Sequence, residues 1–165
     1  MTVEVMPILR WPDPRLATPC TPVEDTKAVA ELVERMFATM YDAPGRGLAA
    51  PQVGVTQRLF VMDAGWKTGP KTPVVCINPV AEPLGAVDEG VEACLSMPGV
   101  EVTVPRPSRV RLRYTDLTGE EQVVALEGAE ARIAQHETDH LDGRMHFDNV
   151  APETRAAILA AWETA

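Results

Sequence analysis

The chain is 165 residues long, 45% apolar and 24% charged, proportions that suit one soluble globular core and exclude a disordered or collagen-like chain. No apolar run approaches the ~18 residues of a membrane-spanning helix, so no membrane partner is expected. A formal charge of −9 argues against a partner gripped by its phosphates, so nucleic acid is not expected either.

Met1 to Arg10 lacks the basic head and long apolar stretch of a secretory leader. Cys20, Cys76 and Cys94 are odd in number and widely spaced, which is no disulfide framework and suits a reducing cytoplasm. Fifteen prolines forecast many turns and edge segments.

In chain order, Val29, Leu32, Val33, Met36, Phe37 and Met40 recur at three- and four-residue steps. They predict an amphipathic helix from Thr26 to Tyr41, capped by Asp25 or Thr26 and ended by Asp42-Ala43-Pro44-Gly45. Short strands are predicted at Leu59–Met62 and Val74–Ile77, with Asn78-Pro79 as a stop. Val110–Tyr114 and Gln122–Leu126 flank Asp116-Leu117-Thr118-Gly119 and predict a hairpin. Helical spacing returns from Gly128 to Leu141, stopped at Gly143, and a last helix runs from Pro152 to Trp162. No repeat or linker interrupts residues 1–165, so a single domain is expected. Strands followed by a central helix, without βαβ alternation, place it in the α+β class.

The second helix carries the chemistry. His136-Glu137-Thr138-Asp139-His140 sets two imidazoles four residues apart on one helix face, where both can reach one metal ion. Glu137 is placed to take a proton from water beside that ion. Two histidines need a third ligand, and two candidates exist. His146 completes a His-x-x-x-His-x-x-Gly-x-x-His pattern, that of the metzincin proteases, but no methionine follows Met145 to form their characteristic turn. His146 is therefore expected to be a partly exposed side chain. The other candidate is Cys94. A thiolate with two neutral imidazoles suits a divalent metal and leaves a position open for water.

Three segments together resemble one known family. They are Gly45-Arg46-Gly47-Leu48-Ala49-Ala50-Pro51-Gln52, then Glu92-Ala93-Cys94-Leu95-Ser96, then Gln135-His136-Glu137-Thr138-Asp139-His140-Leu141-Asp142-Gly143. In that order they resemble the signatures of the peptide deformylases. Pro7-Ile8-Leu9-Arg10, Ile77-Asn78-Pro79 and Val104-Pro105-Arg106 extend the resemblance over roughly residues 7–150.

The resemblance implies small antiparallel or mixed sheets around a central metal-binding helix. It implies removal of the N-formyl group from the first methionine of nascent chains, which would be the partners of this protein. Cys94, His136 and His140 would hold one divalent ion, Fe(II) in the family, with zinc, nickel or cobalt as substitutes. Glu137 would be the general base, and the Gln52 amide and the Leu95 N–H would donate to the oxyanion. Gly45, Arg46, Gly47, Glu92 and Ala93 would line the substrate, the two glycines by letting a peptide backbone come close.

Some residues depart from the family pattern. Arg46 stands where an apolar residue is usual, Ala93 where glycine is usual, and Glu101 and Asn149 where arginine is common. Asp139 is open between orienting a ligand and lying on the helix surface. The segment Ala151–Ala165 has Arg155 as its only basic residue, so docking on the ribosome through a basic tail is not expected. Two other functions remain open: a metal amidase acting on a different N-formyl or small N-acyl group, and a non-catalytic paralogue that binds formylated termini.

Overall fold

The computed structural model describes residues 3–164. Five antiparallel strands form one sheet in sequence order: β1 (Gly47–Ala49), β2 (Leu59–Met62), β3 (Val74–Ala93), β4 (Glu101–Thr115) and β5 (Glu121–Glu127). Three helices accompany it, α1 (Ala30–Asp42), α2 (Gly128–Leu141) and α3 (Pro152–Glu163), which makes the fold α+β as expected.

β2 explains the layering. Its four residues are all apolar and all buried because both faces of the strand are covered. Leu59 and Val61 join Val33, Met36 and Met40 of α1 in one cluster. Phe60 and Met62 join Ala134 and Leu141 of α2, with Cys76 and Leu112, in a second. A third cluster, Leu16, Cys94, Met97, Met145 and Phe147, is covered by Trp11 and by Ile158, Leu159 and Trp162 of α3.

The first helix differs from its sequence reading at one end. Thr26–Val29 form a 3-10 turn, with the Asp25 carboxylate accepting from Lys27 N–H, and the α-helix begins at Ala30. The expected stop at Asn78-Pro79 is a bulge instead, and β3 runs on to Ala93. Asn78 sits at φ 50, a left-handed conformation asparagine tolerates, and its side chain pairs with both backbone groups of Val23 at 2.8 and 2.9 Å.

β4 also begins earlier than the hairpin reading placed it. Pro105 and Pro107 lie where β4 has a neighbour only in β3, because β5 joins it from Arg109 onward. The hairpin pairing of Val110–Tyr114 with Gln122–Leu126 is present in register, around a turn whose Asp116 carboxylate accepts from Thr118 N–H and Glu120 N–H. Gly128, at φ 60, turns the chain from β5 into α2.

Candidate metal centre

α2 crosses the sheet and presents His136, Glu137 and His140, all buried, toward the segment that follows β3. That segment carries Cys94. The ligand atoms of Cys94, His136 and His140 lie within 4.8 Å of one another, and these three make up the cluster of potential metal donors among the described residues. Cys94 Sγ is 3.4 Å from His140 Nε2. A tetrahedral ion with usual bond lengths would hold sulfur and nitrogen ~3.6 Å apart, so the set fits a divalent metal.

The histidines are held differently. His136 Nδ1 is 2.8 Å from Glu92 Oε1, which leaves its Nε2 for the donor set. Glu92 in turn accepts from Arg106 Nη2 at 2.9 Å and Arg132 Nη1 at 2.9 Å. Burial opposes ionisation of Glu92, but Arg106 and His136 outweigh it and hold its carboxyl at about 2. Arg106 also donates to Asp139 at 2.9 Å, and Asp139 accepts from Asn149 at 3.1 Å. Asp139 thus braces the arginine that braces Glu92. His140 Nδ1 has no partner among the described residues, and burial keeps this imidazole neutral, as a ligand must be.

Glu137 is buried beside the donors, and its Oε1 has no partner among the described residues. Burial pushes its pKa up to about 7. Gln52 lies in a one-turn 3-10 helix after β1. Its Oε1 accepts from Ala49 N–H at 3.0 Å, which aims Nε2 at Ser96 Oγ (3.1 Å) and Cys94 Sγ (3.6 Å). The Leu95 N–H meets no acceptor among the described residues. Glu137, Gln52, Cys94 and Leu95 line a cavity of about 570 Å³ together with Gly45, Arg46, Gly47, Glu92 and Ala93.

A family model described as polypeptide deformylase matches residues 5–156. The chain belongs to the polypeptide deformylase family. Peptide deformylase of Thermus thermophilus is 41% identical over 169 residues, 95% of this chain and 88% of that protein. That of Pseudomonas aeruginosa is 44% identical over 156 residues, 93% of this chain and 92% of its own. Among solved structures, the Thermus thermophilus deformylase superposes with a TM-score of 0.89 at 42% identity, covering 97% of this chain and 94% of that one. The Synechococcus elongatus deformylase in complex with actinonin gives 0.89 at 33% identity, covering 100% and 96%.

Within this deformylase framework, one sequence expectation needs correction. His146 is fully buried, not partly exposed. Its Nδ1 accepts from Phe147 N–H at 3.0 Å, its ring stands edge-on to His136 at 5.9 Å, and it is outside the donor set. The two cavity glycines are also constrained from inside the protein. A Cβ on Gly47 would stand 2.6 Å from Glu137 Oε2, and one on Gly45 would stand 2.7 Å from Leu95 Cδ1. They make room for the protein's own base and for Leu95. Glu92 lines the cavity, and both its carboxylate oxygens are engaged by His136 and the arginines.

Arg106, Arg132 and Ser96 were not singled out from sequence as site residues. Arg106 and Ser96 end two of the quoted segments. Arg132 had a positional signal, four residues before His136 on the same helix face.

Proposed function

We propose that the chain, acting over 1–165 as one catalytic domain, removes the N-formyl group from the first methionine of newly made proteins with Fe(II) held by Cys94, His136 and His140. The observation that carries this is Glu137, which has a buried, unpartnered Oε1, shares α2 with both histidine ligands and lines the same cavity as Gln52 and Leu95. A bound divalent ion would supply Lewis acidity, polarising the formyl carbonyl and making water easier to deprotonate.

The chain's own residues do the rest. Glu137 takes the proton from the attacking water at its carboxylate and later passes it to the methionine nitrogen as the C–N bond breaks, releasing formate. As the formyl oxygen gains charge, Gln52 Nε2 and Leu95 N–H donate to it; loss of one such donor typically costs ~3 kcal/mol of transition-state stabilisation. The Ala49 N–H fixes which end of the Gln52 amide faces the reaction. Glu92 orients His136 from behind, itself anchored by Arg106 and Arg132. The compartment that suits this activity is the cytoplasm of a bacterial-type cell, where formylated chains are made.

The test is formate release from formyl-methionyl-alanine by protein loaded anaerobically with metal. Glu137→Ala should keep near-stoichiometric metal and lose at least ~100-fold in kcat, because its carboxylate handles protons and is not a ligand. Cys94→Ala should lose the metal. Full activity in Glu137→Ala, or wild-type metal affinity in Cys94→Ala, would overturn these roles.

A further inference from the structure

We propose that the mouth of this cavity selects formylated chains with an acidic side chain immediately behind the first residue, read by Arg46 and Lys67. This rests on the function proposed above and names its substrate class. The protein carries a net charge of −9, yet Arg46, Lys67 and Arg132 all line the cavity that leads to the donor set. Arg132 is engaged by Glu92 at 2.9 Å and Asp88 at 3.2 Å. Arg46 and Lys67 are exposed, and no carboxylate lies within ion-pair distance of either among the described residues.

Two carboxylates near the cavity are already committed. Asp63 accepts from Tyr41 Oη at 2.6 Å and from Thr72 N–H at 3.1 Å. Glu92 is held by His136 and two arginines. Neither cation forms an ion pair among the described residues, so both are free to meet a charge on whatever enters.

Their placement is also built into the backbone. Arg46 O accepts from Asp63 N–H at 2.9 Å, and Gly45 O accepts from Trp66 Nε1 at 2.9 Å. Trp66 packs edge-on against Tyr41 at 5.1 Å. The turn that carries Lys67 is thereby tied to the Gly45-Arg46 backbone, and the two cations share one rim. A peptide with its formyl group at the donor set must bring its next residues past that rim.

The test compares formyl-Met-Asp, formyl-Met-Ala and formyl-Met-Lys peptides of equal length on metal-loaded protein, at low and high salt. An exposed ion pair contributes modestly, so wild type should favour Asp over Lys by roughly fivefold in kcat/KM at low salt. High salt should bring that ratio toward unity as screening shortens to a few ångströms. The double variant Arg46→Met/Lys67→Met should do the same, while Arg46→Lys should keep most of the preference. A ratio of one in wild type at low salt, or an unchanged ratio in the double variant, overturns the proposal. The wild-type salt series decides the matter even if the double variant does not fold. Absence of turnover on all three peptides would indict the deformylase function itself, whereas equal turnover on all three indicts only the charge selection.

Discussion

Gly47 shows how tightly the base is packed. The methyl of Gly47→Ala would meet Glu137 Oε2 at 2.6 Å and Ile133 Cγ2 at 2.9 Å. We expect this variant to fold and bind metal normally while kcat falls at least ~10-fold, because the displaced carboxylate no longer meets the water it must deprotonate. Parallel measurement of metal content and formate release separates the two effects. Glu92 is a second sensitive point. Glu92→Ala leaves Arg106, only 5% exposed, without its main partner and His136 without its brace. Loss of one member of a buried ion pair costs about 3 kcal/mol, and loss of a partner behind a ligand weakens metal binding about 10- to 100-fold. Glu92→Gln, which keeps an acceptor for His136, should retain more metal. Urea denaturation and chelator competition measure these separately.

Among the elements, α2 was legible, beginning at about Gly128 and ending at Leu141, because its ligand spacing and its apolar face share one helical period. β2 was legible too, since four apolar residues in a row have few alternatives in so short a run. The continuation of β3 was hidden by the chemistry of its own bulge. Asn78-Pro79 reads as a terminator in any local window, and only Val23, 55 positions away, makes that asparagine part of a strand. The prolines of β4 concealed it in the same way, by marking an edge that only the sheet reveals. The donor set was legible because one motif carried Cys94, another carried both histidines and Glu137, and a third stood before them in the family's order. His146 was not, since nothing adjacent to it shows that Phe147 and His136 will bury it. We expect Asn78→Ala to lose about 2 kcal/mol by urea denaturation, through two lost hydrogen bonds and a strained φ. Asn78→Gly, which relieves only the φ, should fall between that variant and wild type.

Across the whole molecule, the three thiols divide by surroundings. Burial pushes Cys20 up to about 11 and raises Cys76 further, so both are almost entirely protonated, and therefore slow to alkylate, at neutral pH. In metal-loaded protein all three should resist iodoacetamide. After chelation, Cys94 alone should become labelled, and mass spectrometry of the modified peptides reads this directly.

The donors also come from separate parts of the chain. Cys94 follows β3 while His140 lies near the end of α2, 46 positions later, with β4 and β5 between them. An ion that grips both ends clasps that stretch into a ring, and it does so only while the chain is folded. Metal supply is then a term in the fold's own survival: each tenfold rise of free ion above its dissociation constant adds about 1.4 kcal/mol to the native state. Melting temperature should climb steadily with buffered free metal. In a metal-starved cell more copies would open and be degraded, so scarcity would lower the number of enzyme molecules as well as the activity of each.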